Sequence, residues 1–196
     1  MQDSRRSKII LGRIPMQMDI LLAGFGGQGI KLMSHLLGAA ATAENHSATM
    51  YADYKDEIRG GAIQCMVRVG EGEILSPITQ RFDVLIAMNE DAVRVYEPAV
   101  NRGGLIIYNS SLVGNGPARS DVESLGVPAN ALAEELGSVQ VASMIALGAF
   151  AEKTKLVGTA SVVSALSELL PPHRQKLLPF NQRALDRGSD FVKNPQ

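Results

Sequence analysis

The stretch that most constrains this chain is an apolar run that ends in glycines and continues as an amphipathic pattern. Residues 18–24, MDILLAG, are typical of a strand buried in a parallel sheet. The motif G-x-G-x-x-G follows at Gly24, Gly26 and Gly29. From about Gly29 to Glu44, apolar residues recur at spacings of three and four, which predicts a helix. A strand, a glycine turn and a helix are therefore expected in succession.

This glycine turn has the properties of an anion site. Backbone amides in such a turn can approach a ligand closely, and the helix N-terminus adds unpaired N–H groups and partial positive charge. Gly27 adds a fourth glycine, and Gln28 adds a side-chain amide that can donate or accept. The turn suits a phosphate or a carboxylate, and it can equally serve as a crossover that holds no ligand. The predicted turn residues of the site are Gly24, Gly26, Gly27, Gln28 and Gly29.

A nicotinamide dinucleotide would need a further acidic residue at the end of the second strand, roughly 20 positions on, to bind the ribose hydroxyls. Asp53 is the candidate, although it stands beside a run of charges that includes Lys55 and Asp56. The spacing nominates no histidine or lysine as a proton donor for hydride transfer. A free-standing NAD-dependent oxidoreductase of the Rossmann class stays open as one function.

Strand and helix patterns alternate along the rest of the chain. Further strands are predicted at residues 48–51, 62–69, 82–89 and 105–109. Further helices are predicted at residues 90–100, 129–136, 139–153, 159–169 and 178–187. Residues 70–73, GEGE, predict a hairpin turn, and residues 101–104, NRGG, predict a glycine cap after a helix. The alternation predicts an α/β fold: a mostly parallel sheet with helices on both faces, an inserted β-hairpin, and C-terminal helices packed on the same domain.

Composition excludes several classes of function. The 196 residues carry a formal net charge of -1, which provides no field to hold nucleic acid. No apolar run approaches the roughly 20 residues that a membrane span needs. Cys65 is the one cysteine and the three histidines are scattered, so we expect no iron–sulfur cluster and no metal site. Residues 1–17 are too weakly apolar for a secretory signal. We expect a disordered N-terminal arm there, and a cytoplasmic protein.

A second motif, EIRGG, occupies residues 57–61. It places Arg59 between an acidic residue and two glycines, which indicates a charged side chain projected from a turn. An arginine suits bidentate binding of carboxylate or phosphate, although a solvated charged loop has the same composition. The predicted residues of this loop are Glu57, Arg59, Gly60 and Gly61.

These motifs, together with NQRAL at residues 181–185, resemble the gamma subunit (gamma domain) of the 2-oxoacid:ferredoxin oxidoreductases. The resemblance covers about residues 18–192, which we expect to form one domain. The family loop is usually close to S-Y-G-P-E-x-R-G-G, and here Lys55 and Asp56 replace the Gly-Pro pair. Ser143 stands where the family often has asparagine.

The resemblance implies a Rossmann-like or flavodoxin-like domain that does no bond-making chemistry itself. It implies a complex that converts a 2-oxoacid, coenzyme A and an oxidised acceptor to acyl-CoA, carbon dioxide and reduced acceptor. Thiamine diphosphate and magnesium would lie between alpha and beta subunits, with iron–sulfur clusters on beta or on a ferredoxin-like subunit. This chain would support assembly, and phosphates of coenzyme A would approach the glycine turn or Arg59. A pure assembly module with an empty turn stays open as the other alternative.

Overall fold

The computed structural model describes residues 17–54, 61–74, 76 and 78–194. Within them, six strands form one sheet in the order β2-β3-β1-β4-β5-β6. The strands are β1 Gln17–Phe25, β2 Ser47–Tyr54, β3 Ala62–Gly70, β4 Phe82–Ala87, β5 Val100–Asn109 and β6 Glu123–Val127. The helices are α1 Ile30–Ala43, α2 Glu90–Tyr96, α3 Ala129–Glu135, α4 Ala142–Thr154, α5 Thr159–Leu169 and α6 Leu178–Lys193.

The sheet is parallel on one side of β1 and antiparallel on the other. Strands β1, β4, β5 and β6 pair in parallel, whereas β3 pairs antiparallel with both β1 and β2. Alternate residues of β1 enter different layers: Ile20 and Leu22 pack among α1, α3, α4, α5 and α6, and Leu21 and Ala23 pack toward α2. Both faces of β1 are therefore buried, as its continuous apolar run predicts. The predicted fold class is confirmed.

The inserted hairpin lies at a different place from the one that the glycines of residues 70–73 predict. Gly70 ends β3, and Ile74 belongs to no strand. The hairpin is instead formed by β2 and β3, whose connection runs through residues 55–61. The predicted turn could not form a hairpin on β3, because a strand has two edges and β2 and β1 already occupy both.

The predicted glycine cap at residues 101–104 is also wrong. These residues belong to β5, where the N–H of Gly103 donates to the carbonyl of Asp121 at 2.7 Å. The preceding helix ends at Tyr96 and continues as a short 3₁₀ turn over Glu97–Ala99. Pro98 lacks the N–H that an α-helix would need there, which explains the early end. Strand β6 had no counterpart among the predicted strands.

The N-terminal arm predicted over residues 1–17 lies outside the described residues except for Gln17, which is the first residue of β1. The arm stays a prediction. No helix in the part of the chain that the structure describes is long and apolar enough to span a membrane.

Helix α4 is the most enclosed element, since every residue from Ala142 to Ala151 is buried. It contacts α6 at two glycines. A β-carbon at Gly148 would lie 2.0 Å from the carbonyl oxygen of Leu185, and one at Gly188 would lie 2.0 Å from that of Ile145. The two helix backbones therefore approach so closely that no other residue fits at either position.

We expect Gly148→Ala to lower the free energy of unfolding by about 2 kcal/mol or more, because α6 must move away from α4. Gly38→Ala in α1 is the matched control. A β-carbon at Gly38 meets nothing within 4 Å, so this change should be neutral or stabilising by about 0.5–1 kcal/mol. Urea denaturation of both variants measures the difference. Equal stability of the two would contradict the close approach of α4 and α6.

Candidate functional site

The predicted turn residues lie at the carboxyl edge of the sheet, between the end of β1 at Phe25 and the start of α1 at Ile30. Gly27 has a φ of 95° and Gly29 a φ of 78°. Both values lie in the left-handed region that glycine adopts without steric cost. The backbone can therefore reverse within the turn and enter α1 directly from β1.

The side-chain amide of Gln28 joins the turn to the end of β4. Its Oε1 accepts hydrogen bonds from the N–H of Phe25 at 2.7 Å and from Nδ2 of Asn89 at 3.0 Å. Its Nε2 donates to the carbonyl of Met88 at 3.2 Å. The amide that the sequence suggests for a ligand is thus engaged within the protein. Gln28 fixes the shape of the turn.

Gly24 makes this network possible. A β-carbon there would lie 2.7 Å from Oε1 of Gln28 and 3.1 Å from the β-carbon of Met88. Any side chain at position 24 would displace Gln28 from its three hydrogen bonds. The first glycine of the motif therefore leaves space for a neighbouring side chain.

The second motif meets the first through one backbone hydrogen bond. The N–H of Gly26 donates to the carbonyl of Gly61 at 3.0 Å. Glu57, Arg59 and Gly60 lie outside the described residues. The structure therefore brings together the two glycine segments, and the predicted roles of the charged loop residues stay predictions.

A cleft of about 200 Å³ opens beside the turn, and we call it the turn cleft. It is lined by Gly27, Gln28, Met88, Asn130, Val139, Gln140, Ala142 and Ser143, and none of these side chains is charged. Ala142 and Ser143 begin α4, so the N-terminal end of this helix flanks the cleft. Ser143 is 4% exposed, and its Oγ would lie 2.5 Å from a β-carbon placed at Gly29.

Three asparagines support this edge of the sheet, and no sequence motif predicted a role for them. Asn89 caps α2 by accepting from the N–H of Ala92 at 2.8 Å. Asn109 ends β5, accepts from the N–H of Ala129 at 3.2 Å, and donates through Nδ2 to Oδ1 of Asn130 at 2.8 Å. The available signal was a polar residue directly after a run of apolar residues, since Asn89 follows the apolar run at residues 84–88 and Asn109 follows the one at residues 105–108.

Asp53 does not meet the requirement of a dinucleotide site. It lies on β2, and β3 separates β2 from β1. Its Oδ2 accepts from Nε2 of Gln64 at 2.7 Å. Ala52 packs on the face of the sheet that α1 covers, so the next side chain along β2, that of Asp53, lies on the opposite face. Burial, and to a smaller extent the charge of Asp53, raise the pKa of Tyr96. The carboxylate of Asp53 is therefore separated from the glycine turn by strand β3, and it lies on the face of the sheet opposite α1.

The remaining candidate for redox chemistry is Cys65, which is fully buried on β3. Burial raises the pKa of its thiol, against smaller opposing effects of Ser34 and Lys31. A thiol of this kind is a poor nucleophile at neutral pH. Among the residues that the structure describes, no group of three or more His, Cys, Asp or Glu side chains could hold a metal ion.

The family model described as pyruvate ferredoxin/flavodoxin oxidoreductase matches residues 19–191. The chain belongs to this family. The 2-oxoglutarate synthase subunit KorC of Methanothermobacter thermautotrophicus is 33% identical over 186 residues, which cover 91% of this chain and 97% of that protein. The family that the sequence motifs predict is confirmed.

Two solved structures have the same fold. The gamma subunit of a keto/oxoacid ferredoxin oxidoreductase from Geobacter sulfurreducens is 25% identical with a TM-score of 0.76, covering 90% of this chain and 98% of that one. The 2-oxoglutarate:ferredoxin oxidoreductase from Magnetococcus marinus, solved with 2-oxoglutarate, coenzyme A and succinyl-CoA bound, is 24% identical with a TM-score of 0.83. That match covers 92% of this chain and 32% of the longer chain. The same fold therefore also occurs as one part of a longer chain.

The hydrogen-bond network of Gln28 can be tested by substitution. We expect Gln28→Leu to lower the free energy of unfolding by about 1–3 kcal/mol, because the N–H of Phe25 and the carbonyl of Met88 lose their partner. Gln28→Glu is the control. It keeps acceptor oxygens for Phe25 and Asn89, and its negative charge lies near the N-terminus of α1, so it should cost less. Chemical denaturation measures both, and equal losses would show that the network does not stabilise the turn.

Proposed function

We propose that this chain is the gamma subunit of a 2-oxoglutarate:ferredoxin oxidoreductase. The assembled enzyme would convert 2-oxoglutarate, coenzyme A and oxidised acceptor to succinyl-CoA, carbon dioxide and reduced acceptor. The observation that carries this proposal is the 33% identity to a 2-oxoglutarate synthase subunit over 97% of that subunit's length. The family match over residues 19–191 supports the general activity, and the relative supports the choice of 2-oxoacid.

In this proposal the bond-making chemistry belongs to companion subunits. An iron–sulfur cluster usually takes four cysteine thiolates, and this sequence has one cysteine, which is buried. Thiamine diphosphate and magnesium are assigned to alpha and beta subunits, and the clusters to beta or to a ferredoxin-like subunit. The thiamine cofactor supplies the decarboxylation chemistry when it is bound. The present chain holds the assembly together and contributes to the coenzyme A site.

The glycine turn and the charged loop form the proposed contact with coenzyme A. The turn residues are Gly24, Gly26, Gly27, Gln28 and Gly29, and the loop residues are Glu57, Arg59, Gly60 and Gly61. The first turn of α1 contains no acidic side chain, so the positive end of the helix is not neutralised. The hydrogen bond from Gly26 to Gly61 anchors one end of the loop beside the turn. These residues fit an anionic ligand whose phosphates accept hydrogen bonds from backbone amides and a guanidinium.

Apolar side chains around the same edge support a role in assembly. Phe25 is 37% exposed at the end of β1, Leu32 is 36% exposed in the first turn of α1, and Val139 is 47% exposed on the turn cleft. Exposed apolar residues grouped around a polar cleft are typical of protein interfaces. We propose that the alpha subunit covers this edge, so that coenzyme A binds between the two chains.

The choice of 2-oxoacid is tested on the native complex, purified with this chain as the affinity handle. We expect mass spectrometry to identify larger companion chains that carry thiamine diphosphate and iron. We expect kcat/KM for 2-oxoglutarate to exceed that for pyruvate by at least about tenfold, because a pocket built for a second carboxylate discriminates strongly. A preference for pyruvate would contradict the 2-oxoglutarate assignment, and a chain without companions would contradict the subunit role.

The coenzyme A contact is tested separately with Arg59→Ala in the assembled complex. We expect KM for coenzyme A to rise about tenfold while KM for the 2-oxoacid stays constant, since a lost charge-assisted contact costs about 1.5 kcal/mol. Arg94→Ala removes the same charge from an exposed position on α2, where the side chain pairs with Asp91, and serves as the control. An unchanged KM in an intact complex would leave only the assembly role.

A further inference from the structure

Strand β2 forms one lateral edge of the sheet, and its outer side is open. It pairs with β3 along its whole length, Ser47–Tyr54, without a bulge. Because β2 is the first strand in the sheet order, no strand among the described residues pairs with its other side. The backbone N–H and C=O groups on the outer side of such a strand are a template for pairing with another chain.

Strand β2 lacks the features that usually prevent this pairing. Natural edge strands are very short, carry lysine or proline, or are interrupted by a bulge. The sequence of β2, SATMYADY, contains no lysine and no proline, and its one charged residue is Asp53. Tyr51 on the same strand is 43% exposed. These properties indicate that another segment covers this edge in the native protein.

A groove of about 540 Å³ lies beside the open side of β2, and we call it the edge groove. Helix α1 lines it with the small residues Gly38, Ala39 and Ala43, and β2 lines it with residues 48–50. Side chains that follow one another along a strand point to opposite faces, so a lining by three consecutive residues includes the backbone of β2. A β-carbon at Gly38 would meet nothing within 4 Å, which shows that the groove is open on its α1 side.

The position of α1 indicates what fills the edge groove. Helix α1 packs over β2 and β3 on one face of the sheet. Since neighbouring strands lie about 4.8 Å apart, α1 stands about one strand spacing from the midline between β2 and an added strand. A twofold axis on this midline would place α1 of a second copy about 10 Å away on the same face, and packed helices lie about 8–10 Å apart. A second copy thus covers the strand edge and the groove together, whereas a lone strand would leave the groove open.

The pleat of β2 restricts where this twofold axis can lie. Directly opposite side chains of an antiparallel pair point to the same face, so the axis must pass through a residue and not between two residues. An axis at Met50 pairs residues 47–53 of both copies, and an axis at Tyr51 pairs residues 48–54. Met50 is the one of the two that lines the edge groove, and it therefore lies closer to the small residues of α1.

The axis at Met50 also avoids repulsion between the two copies. It places Ala48 opposite Ala52 on the α1 face, and Ser47 opposite Asp53 on the other face. No two like charges are therefore directly opposite, which would destabilise the pair.

We infer that two copies of this chain associate through β2, antiparallel about a twofold axis at Met50, with their α1 helices packed across the edge groove. The two sheets then continue as one. This inference goes beyond the proposed function and does not rest on it. The glycine turn follows β1, which β3 separates from β2, so the turn remains available to a companion subunit.

Cysteine cross-linking of the full chain tests the register. In an antiparallel pair, opposite β-carbons lie about 4.5–5.5 Å apart and diagonal ones about 7–8 Å, while a disulfide needs about 3.5–4.5 Å. Met50→Cys places two thiols opposite each other, and Tyr51→Cys places them on a diagonal. Val95→Cys, at an exposed position on α2, controls for random collision, and the native Cys65 is buried.

We expect mild oxidation to convert Met50→Cys to a covalent dimer at least about tenfold faster than Tyr51→Cys or Val95→Cys, because only Met50 brings the thiols within reach. Non-reducing electrophoresis measures the three rates. Equal rates at Met50 and Val95, or faster cross-linking at Tyr51, would overturn the inference.

Analytical ultracentrifugation of the full chain tests the groove. We expect a dimer whose dissociation constant rises at least about tenfold in Gly38→Lys, because the long side chain fills the groove and brings like charges together near the axis. Gly38→Ala adds one methyl group to open space, and Val95→Lys adds the same charge on α2, so each should change the constant less than about twofold. Circular dichroism confirms that the variants fold. A monomeric parent chain, or a dimer that Gly38→Lys does not weaken, would overturn the inference.

The same cysteine variants in the native complex separate this inference from the proposed function. A Met50→Cys cross-link between two copies in a protein without thiamine-bearing companions would keep the dimer and contradict the proposed function. A complex that turns over 2-oxoglutarate without this cross-link, while amide exchange shows β2 to be protected, would keep the function. The edge would then be covered by a companion subunit or by residues 1–16 of this chain, and the inference would be overturned.

Discussion

The carboxyl edge of the sheet depends on the hydrogen bonds of one side chain, the amide of Gln28. This amide binds the end of β1, the end of β4 and the cap of α2 at once, through Phe25, Met88 and Asn89. Gly24 leaves the space that the amide needs. Strand β1 leads into α1, and its neighbour β4 leads toward α2. Since the glycine turn follows β1, the position of β1 relative to β4 fixes where the backbone amides of the turn lie. The side chain of Gln28 therefore fixes the shape of the glycine turn. A ligand of the turn would contact its backbone amides and not the side-chain amide of Gln28.

The insertion of β3 between β1 and β2 separates this fold from that of a nicotinamide dehydrogenase. In a dinucleotide domain, the acidic residue that binds the ribose lies close to the glycine turn, at the end of the second strand. Here that position is displaced by a whole strand, and Asp53 is paired with Gln64 on the opposite face of the sheet. The connection between β2 and β3 instead returns to the turn at Gly61. The insertion thus moves the acidic residue away from the position that a ribose site needs, which argues against a nicotinamide cofactor.

Local patterns predicted the parts of this structure that local physics decides. Three elements were predicted close to their observed bounds: β1 from its apolar run, α1 from the spacing of its apolar residues, and α4 from its nearly all-apolar composition. Burial on one or both faces requires apolar residues at a regular spacing, and this spacing can be recognised in the sequence. The hairpin at residues 70–73 failed because strand pairing is non-local: the composition of β3 does not reveal which strands occupy its edges. The glycine cap at residues 101–104 failed because glycine suits a helix end and an irregular strand start alike. The position of the glycine turn between β1 and α1 was predictable from its spacing, whereas Asn130 and Ser143 come together on the turn cleft from helices that are distant in sequence, and their proximity was not predictable.

We propose that the carboxyl edge of this sheet forms a coenzyme A site covered by a companion subunit. A structure of the native complex, purified from its own cells and imaged by cryo-electron microscopy with coenzyme A bound, tests it most directly. We expect Phe25, Leu32 and Val139 to be buried against another chain, and we expect a phosphate of coenzyme A to lie within hydrogen-bond distance of the glycine turn. A complex in which this edge faces solvent, with coenzyme A bound wholly by other chains, would contradict it.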